Sequence, residues 1–316
     1  MSDKSLFPTL AVILAAGQGT RMRSSLPKVM HPLGNRPLLG HVLESATQAG
    51  VEHMAVVIGP DSPVVADYVR QTVPAAKQFV QRDRLGTAHA VLAARNALES
   101  HPEGCVLVLF GDSPLIGTQT LAHLRQSLMD GAAVVVAGFT TEKPGPYGRL
   151  LVKEGRLSAI REAKDATPEE LQISLCNGGV MGFRADHCLW LLDRINNENA
   201  QGEFYLTDAV EIANEAGLSV TVVEVAEEEI LGVNDREQLQ AAEQIFQQRK
   251  RSLAMRDGVT LDAADTVYFS ADTVLESDVR VEPCVVFGPG VQVARGSRIA
   301  AFSRLENVCI EAPEGA

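Results

Sequence analysis

The chain has 316 residues, of which 46% are apolar and 22% charged, the composition of a folded protein with a buried core. Its formal net charge of −12 argues against nucleic acid and against an anionic membrane surface as partners, because both require a basic surface. The length exceeds that of a usual single-core domain and indicates two units.

The cysteines and the first apolar run bear on the cellular compartment. The five cysteines are scattered and never spaced as C-x-x-C, which indicates reduced thiols and a cytoplasmic location. The apolar run from Leu10 to Ala16 is too short to cross a bilayer, so no membrane insertion is expected.

Apolar runs alternate with amphipathic stretches from residue 10 onward, which is typical of βα units that build a mainly parallel sheet. The sequence therefore predicts an α/β fold, a Rossmann-like sandwich with helices on both faces of the sheet. In chain order the pattern predicts strands at 10–14, 55–58, 77–80, 105–110, 133–139, 180–183 and 220–225, and helices at 37–46, 62–71, 87–98, 185–195 and 207–216.

A different periodicity follows residue 234. Residues 235–256 have apolar side chains at helical spacing and predict a linker helix. After it, apolar residues recur every six positions, which is typical of a parallel β-helix and which ordinary alternating strands would not maintain. The row is Phe269, Leu275, Val281, Phe287, Val293, Ile299 and Leu305.

These patterns give three segments. We expect a first domain at 1–234, the linker helix at 235–256 and a short hexapeptide-repeat β-helix at 257–316. The repeats stop within a few turns, at Gly315-Ala316, without an evident cap, so the β-helix is expected to be truncated.

The loop after the first predicted strand is rich in glycine and reads Leu14-Ala-Ala-Gly-Gln-Gly-Thr-Arg-Met22. Such a loop lets backbone N–H groups approach a nucleotide and its phosphates closely. It is not a G-x-G-x-x-G loop, because Met22 occupies the third glycine position. Arg21 and Lys28 add two cations that can neutralise a triphosphate, although lone cations are often solvated surface residues.

These residues carry a resemblance. The loop and Leu26-Pro-Lys28 look like the signature of the sugar-nucleotide pyrophosphorylases. Other segments occur in the order found in the bifunctional N-acetylglucosamine-1-phosphate uridylyltransferase family, and together they cover nearly the whole chain. They are Gln81 with Leu85-Gly-Thr-Ala-His89, Phe110-Gly-Asp112, Tyr147-Gly-Arg149, Glu162 with Lys164-Asp165, Asn177-Gly178, residues 199–208 and Gly232-Val-Asn234.

The resemblance implies a nucleotidyltransferase sandwich followed by a left-handed parallel β-helix, and it implies a role for each matching residue. Arg21 and Lys28 would be catalytic, and Asp112 with Asn234 would hold Mg²⁺. The nucleotide would contact Leu14, Ala15, Ala16, Gly17, Gln81, Gly86, Thr87, Phe110 and Gly111. The sugar would contact Gly148, Glu162, Asn177 and Asn234.

The residues themselves support some of these roles and compete with others. Asp112 follows a buried apolar strand, at the edge where ligands lie in open α/β sheets, and Mg²⁺ needs few protein oxygens. Asn234 precedes a helix with Glu237 three residues on, so taken alone it is better explained as a helix cap. Asn177 is followed by Gly178-Gly179, where related sequences often have Thr or Ser first, and this departure leaves the sugar preference open.

The implied reaction joins UTP to N-acetylglucosamine 1-phosphate and gives UDP-N-acetylglucosamine and pyrophosphate. The alternatives are another base or sugar, as in a thymidylyl- or cytidylyltransferase, and a non-catalytic sugar-nucleotide-binding subunit. In the family, later β-helix coils form an acetyltransferase site, and those coils are absent here, so acetyl transfer is not expected. A homotrimer formed through the β-helix is left open.

Overall fold

The computed structural model describes residues 7–312, which form two compact units. The first comprises the chain up to Met30 together with Leu39–Gly232, and the second comprises His31–Leu38 and the chain from Val233 onward. The expected end of the β-helix at Gly315-Ala316 lies outside the described residues.

The helices and strands are numbered in chain order. The helices are α1 (Leu38–Gln48), α2 (Pro63–Thr72), α3 (Thr87–Leu92), α4 (Arg95–Glu99), α5 (Thr118–Met129), α6 (Ala185–Leu192), α7 (Ala209–Glu215) and α8 (Arg236–Arg256). Short 3₁₀ helices lie at Thr20–Met22, Lys28–Met30, Glu170–Gln172, Leu206–Asp208, Glu227–Ile230 and Ala264–Thr266.

The strands through the first unit are β1 (Thr9–Ala15), β2 (Pro32–Leu33), β3 (Arg36–Pro37), β4 (His53–Ile58), β5 (Lys77–Val80), β6 (Cys105–Phe110), β7 (Val134–Thr140), β8 (Arg149–Lys153), β9 (Arg156–Arg161), β10 (Leu175–Arg184) and β11 (Val220–Glu224). Those of the repeat region are β12 (Thr260–Leu261), β13 (Val274–Leu275), β14 (Arg280–Val281), β15 (Val286–Phe287), β16 (Val291–Val293), β17 (Arg298–Ile299), β18 (Arg304–Leu305) and β19 (Val308–Ile310).

The first unit is built on one large sheet with the strand order β11-β7-β10-β6-β1-β4-β5. The pairs β1–β4, β1–β6, β4–β5 and β7–β11 are parallel, whereas β10 runs antiparallel to both β6 and β7. The mainly parallel sheet predicted from the sequence is confirmed. Strands β8 and β9 form an antiparallel hairpin attached beside β10.

Apolar side chains cover both faces of this sheet. Along β1, Leu10 and Val12 belong to one buried cluster, and Ala11 and Ile13 belong to another. Successive side chains of a strand point to opposite faces, so a strand buried on both sides needs a continuous apolar run. The three-layer arrangement therefore follows from runs such as that of β1, whose residues 9–13 are all buried.

Most of the predicted elements are found, with differences at their ends. The predicted helix at 87–98 is two helices, α3 and α4, and the one at 207–216 begins with a 3₁₀ turn. The predicted strand at 180–183 is the end of the longer β10, and the β8–β9 hairpin was not predicted. None of the helices described in residues 7–312 is long and apolar enough to cross a membrane.

The predicted hexad repeat forms coils of short parallel strands in the second unit. Arg280 pairs with Arg298 and Val286 pairs with Arg304, so each coil contains three hexads. The strands form three separate ladders, β12-β14-β17, β13-β16-β19 and β15-β18, as the three faces of a β-helix require. Inward residues such as Val281 and Phe287 are buried.

The turns between the faces share one backbone conformation. Residues 278, 284, 290, 296 and 302, each six positions after the last, have φ values from +61° to +75°. Only two of them are glycine, and Asp278, Cys284 and Phe302 adopt this sterically unfavourable conformation with a side chain. The hexad therefore repeats in backbone geometry as well as in apolar side chains.

Residues 31–38 group with the second unit through contacts at Gly34. The carbonyl of Gly34 accepts the N–H of Ala271 at 2.7 Å, and its N–H donates to Oε2 of Glu243 at 2.9 Å. A Cβ built on Gly34 would lie 2.2 Å from the ring of Phe246, so only glycine fits. The predicted division into 1–234, 235–256 and 257–316 is linear and does not contain such an excursion; it stays a prediction.

Helix α8 packs on the first coil through Gln247, a buried side chain that completes a backbone ladder. Its Oε1 accepts the N–H of Phe269 at 2.8 Å, and its Nε2 donates to the carbonyl of Phe269 at 2.8 Å. Gln247 is 3% exposed and Phe269 is equally buried. The glutamine amide thus replaces the neighbouring strand that the first coil lacks.

We expect Gln247→Ala to lower the free energy of unfolding by about 2 kcal/mol, because it leaves a buried backbone donor and acceptor unpaired. The control is Gln248→Ala on the exposed side of the same helix, which should change stability little. Equilibrium urea unfolding of the two variants measures the difference, and equal effects would contradict this role of Gln247.

Candidate active site

The glycine-rich loop after β1 brings Lys28 across its own backbone. Gly19 has φ +61°, and a Cβ built on it would lie 2.4 Å from Cβ of Lys28. Only glycine allows this conformation and this contact together. Gly17 is exposed, and a Cβ there would meet nothing within 4 Å, so that part of the loop is open.

Lys28 forms an ion pair with Asp112. Its Nζ donates to Oδ2 of Asp112, and the two side chains are 11% and 19% exposed. Lys28 begins the 3₁₀ helix Lys28–Met30, and Asp112 lies two residues after the end of β6. The structure therefore joins a predicted catalytic cation and a predicted metal ligand at the carboxyl end of the parallel strands, where ligands bind in such sheets.

A cavity of about 250 Å³ opens beside this pair. Nine of the residues predicted from the sequence line it: Leu14, Ala16, Gly17, Lys28, Gln81, Gly86, Thr87, Phe110 and Asp112. Ala15 and Gly111 are not among the lining residues. Ala15 is buried on the other face of β1, and the N–H of Gly111 donates to the carbonyl of Leu14 at 2.9 Å, so both support the cavity wall.

Gln81 lies at the end of β5, on the wall of the cavity. It is 5% exposed, and its N–H donates to the carbonyl of Ile58 at 2.9 Å. Its Nε2 is 3.4 Å from Nδ1 of His89. The side-chain amide is therefore held at the cavity rather than extended into solvent, as the alternative reading of Gln81 as a surface residue would require.

Gly86 and Thr87 are packed tightly against residues 204–206. Gly86 has φ +118°, and a Cβ there would lie 2.5 Å from the carbonyl oxygen of Phe204. Oγ1 of Thr87 accepts the N–H of Leu206 at 2.9 Å. These contacts fix the start of α3 at the cavity.

Two residues of the cavity lining were not predicted, Arg84 and Glu203. Nε of Arg84 donates to the carbonyl of Ala16 at 3.0 Å, which holds the guanidinium beside the glycine-rich loop. Arg84 precedes the Leu85-Gly-Thr motif and lies in a charged stretch, so the sequence offered only proximity as a signal.

Arg21 is placed differently from Lys28. It is exposed on the 3₁₀ helix Thr20–Met22 and is not one of the residues that line the cavity. The structure thus brings Lys28 to the cavity and leaves Arg21 on the loop surface, and the catalytic role of Arg21 stays a prediction.

The predicted sugar-contacting residues of the first unit form a second cluster. A Cβ built on Gly148 would lie 3.5 Å from Cβ of Asn177 and 3.5 Å from Oε1 of Glu162. The N–H of Asn177 donates to the carbonyl of Gly148 at 2.8 Å. The ring of Phe110, which lines the first cavity, packs at 3.4 Å over the Cβ position of Gly179 and so joins the two regions.

Glu162 also lines a larger cavity of about 430 Å³ that is rich in acidic groups. Burial raises the pKa of Glu162, the hydroxyl of Thr207 lowers it by donating to Oε1 at 3.2 Å, and Asp165 raises it. Asp208 lies in the same cavity, and burial together with Glu211 raises its pKa from 3.8 to about 6. These acids provide acceptors for hydroxyl groups.

Asn234 belongs to the second unit and precedes α8. The helix cap is Asp235, whose Oδ1 accepts the N–H of Gln238 at 2.9 Å, while Oε1 of Gln238 accepts the N–H of Asn234 at 2.8 Å. The reading of Asn234 as the cap is therefore wrong by one residue, because the short side chain of Asp235 already satisfies the first turn. The roles of Asn234 as a metal and sugar ligand stay predictions.

The raised pKa of Asp208 predicts a stability that depends on pH. The folded state holds this proton more tightly than the unfolded state, so the stabilisation is complete below pH 3.8 and is lost as the pH rises through about 6. We expect Asp208→Asn to increase the free energy of unfolding above about pH 7, with a difference that vanishes near pH 4.

Urea unfolding across this pH range measures the difference, and Asp83→Asn is the matched control, because it removes the same charge from an exposed loop. A constant difference between Asp208→Asn and the wild type at every pH would contradict the assignment.

Comparison with known proteins agrees with this geometry. Residues 11–174 match the model of the MobA-like NTP transferase domain. The chain is 55% identical to the bifunctional protein GlmU of Azorhizobium caulinodans over 311 residues, which are 98% of this chain and 68% of that protein. It is 51% identical to the bifunctional protein GlmU of Bradyrhizobium diazoefficiens (94% and 66% covered) and 48% identical to that of Brucella anthropi (98% and 67% covered).

The chain spans about two thirds of the length of the curated relatives it matches. The matched domain contains β1, the glycine-rich loop, Lys28 and Asp112, which are the parts from which the first cavity is built. The chain therefore belongs to the family of the bifunctional protein GlmU, and its first unit contains a MobA-like NTP transferase domain.

Proposed function

We propose that this chain transfers a uridylyl group from UTP to N-acetylglucosamine 1-phosphate. The phosphate oxygen of the sugar attacks the α-phosphorus, a new P–O bond forms, and the bond to the β-phosphate bridging oxygen breaks. The products are UDP-N-acetylglucosamine and pyrophosphate. The observation that carries the proposal is the Lys28–Asp112 pair, which opens on a cavity at the carboxyl end of the parallel strands.

Lys28 is suited to bind the reacting phosphates. Its ammonium group has three protons, of which one is directed at Asp112, so the same group can also donate to phosphate oxygens. A compact cation at this point would neutralise charge that develops in the transition state. Arg84, held by the carbonyl of Ala16, adds further donors at the cavity wall and is proposed as a nucleotide-binding residue.

The donor set fits Mg²⁺. Asp112 offers hard carboxylate oxygens at the cavity, and Mg²⁺ is commonly held by one or two carboxylates together with substrate phosphates. In residues 7–312, groups of three or more His, Cys, Asp or Glu side chains suited to a metal are not found, so a site built only from side chains is not expected there. Asp112 would hold the ion, with Asn234 as a further ligand by resemblance. When bound, the ion would offset phosphate charge.

The remaining cavity residues would select the nucleotide. The Gln81 amide can both donate to and accept from the edge of uracil, which an acidic side chain could not do. Gly86 and Leu14 bring backbone groups to the same wall. The base preference for uridine over thymidine or cytidine rests on Gln81 in this proposal.

The cluster at Gly148 would hold the sugar. The ionised carboxylate of Glu162 accepts hydrogen bonds from hydroxyl groups, and the Asn177 amide can donate to the acetamido oxygen. Phe110 borders both regions, so the sugar phosphate would extend from Glu162 towards Lys28.

The reaction requires no nucleophile from the protein, because the attacking oxygen is already anionic. Catalysis would then consist of positioning and charge neutralisation, as in phosphoryl transfer generally. Arg21, exposed on the same loop, would join the triphosphate only when the nucleotide is bound.

A direct assay tests this function. The protein is incubated with Mg²⁺, N-acetylglucosamine 1-phosphate and one of UTP, dTTP or CTP, and released pyrophosphate is measured. We expect release with UTP at a rate well above the other two, and loss of release with a chelator. Faster release with CTP or dTTP would overturn the base assignment, and binding of a nucleotide without release would favour the non-catalytic alternative.

The proposed role of Lys28 predicts a large effect on turnover. We expect Lys28→Ala to lower kcat by roughly 10²-fold or more, the usual loss for one preorganised donor to a developing charge. Lys153→Ala, on the exposed β8–β9 turn, is the matched control and should retain wild-type kcat. Near-normal turnover of Lys28→Ala, measured by pyrophosphate release, would remove Lys28 from the mechanism.

A further inference from the structure

The side chain of Asn177 can act towards a ligand only as a hydrogen-bond donor. Its Oδ1 accepts the N–H of Gly179 at 2.9 Å. A backbone N–H can only donate, so this contact identifies the oxygen and leaves the NH₂ group pointing elsewhere. Asn177 therefore suits a carbonyl oxygen, such as that of an acetamido group.

The two glycines after Asn177 make a compact bulge in β10. The register of β10 against β7 shifts between Asn177 and Met181. Gly179 has φ +84°, which disfavours any side chain. Gly178 has no free space, because a Cβ built on it would lie 2.9 Å from the carbonyl oxygen of Ala137 and 2.9 Å from Cγ2 of Ile230.

Ile230 is held rigidly on the opposite side of Gly178. It is 3% exposed and packs with Phe139 and Cys176 in a small buried cluster. The residue before it, Glu229, accepts the N–H of Gly117 at 2.9 Å and the hydroxyl of Thr120 at 2.6 Å. The 3₁₀ helix that ends at Ile230 is thus fixed to the start of α5.

We propose that Ile230 is a positioning residue for Asn177. Its Cγ2 methyl fills the space that a side chain at position 178 would otherwise occupy, and it holds the bulge in the one conformation that directs the Asn177 NH₂ group towards the sugar. The contact depends on branching at Cβ and not on side-chain volume. This inference rests on the proposed function, because it assigns the acetamido oxygen of the sugar as the acceptor.

Two substitutions separate branching from volume. Ile230→Val keeps Cβ and Cγ2, the two atoms nearest Gly178, whereas Ile230→Leu keeps the carbon count and loses Cγ2. We expect Ile230→Leu to raise KM for N-acetylglucosamine 1-phosphate about tenfold, because small misplacements of a binding group are costly. Its kcat and its KM for UTP should stay within about twofold, and Ile230→Val should resemble the wild type.

Selectivity between sugars gives a readout that a merely structural role would not change. Glucose 1-phosphate lacks the acetamido oxygen, so Ile230→Leu should reduce the preference for N-acetylglucosamine 1-phosphate over glucose 1-phosphate about tenfold. The matched control is Ile195→Leu, an equally conservative change at a residue that is 6% exposed in another buried cluster. It should leave this preference unchanged.

Two results would overturn the inference: equal effects of Ile230→Leu and Ile195→Leu, or an Ile230→Val variant as impaired as Ile230→Leu. Calorimetric binding of N-acetylglucosamine 1-phosphate to the same variants needs no turnover. If the wild type binds this sugar phosphate with the predicted order of variants but releases no pyrophosphate, the proposed reaction fails and the role of Ile230 stands.

Discussion

The ion pair between Lys28 and Asp112 is the contact on which the first cavity depends. The two residues are 84 positions apart, and each is mostly buried. A buried charge without a partner is strongly destabilising, so each residue requires the other. The pair fixes the glycine-rich loop after β1 to the loop after β6, and the cavity lies between segments that this contact holds together. In an acidic molecule, it places a cation where an anionic ligand can reach it.

Glycine supports this arrangement mainly by leaving room. Gly19 admits the stem of Lys28, and Gly86 admits the backbone of Phe204. A side chain at either position would come within 2.5 Å of the neighbouring segment. The sequence suggested that glycines let backbone N–H groups approach phosphates, and Gly17, exposed on the cavity, is the residue that remains open for that role.

Repeating local patterns could be read from the sequence, and contacts between distant segments could not. The hexad predicted the coils because its period is set by the backbone of each face, and apolar runs predicted strands such as β1 because both faces are buried. The β8–β9 hairpin and the grouping of residues 31–38 with the second unit depend on tertiary contacts, such as that of Gly34 with Phe246. Arg84 was missed for the same reason, since only its contact with Ala16 distinguishes it from neighbouring charges.

The two cavities of the first unit differ in charge, and this difference gives the proposed substrates a direction. The smaller cavity contains the cations Lys28 and Arg84. The larger contains acids, among them Glu162 and Asp208, whose pKa values are raised by burial. A sugar phosphate has neutral hydroxyl groups at one end and an anion at the other. Hydroxyl groups suit acceptors and phosphates suit cations, so the molecule fits in one orientation, with its anion towards Lys28. The reversed orientation would place a phosphate among carboxylates, at a cost that no contact with the protein could offset.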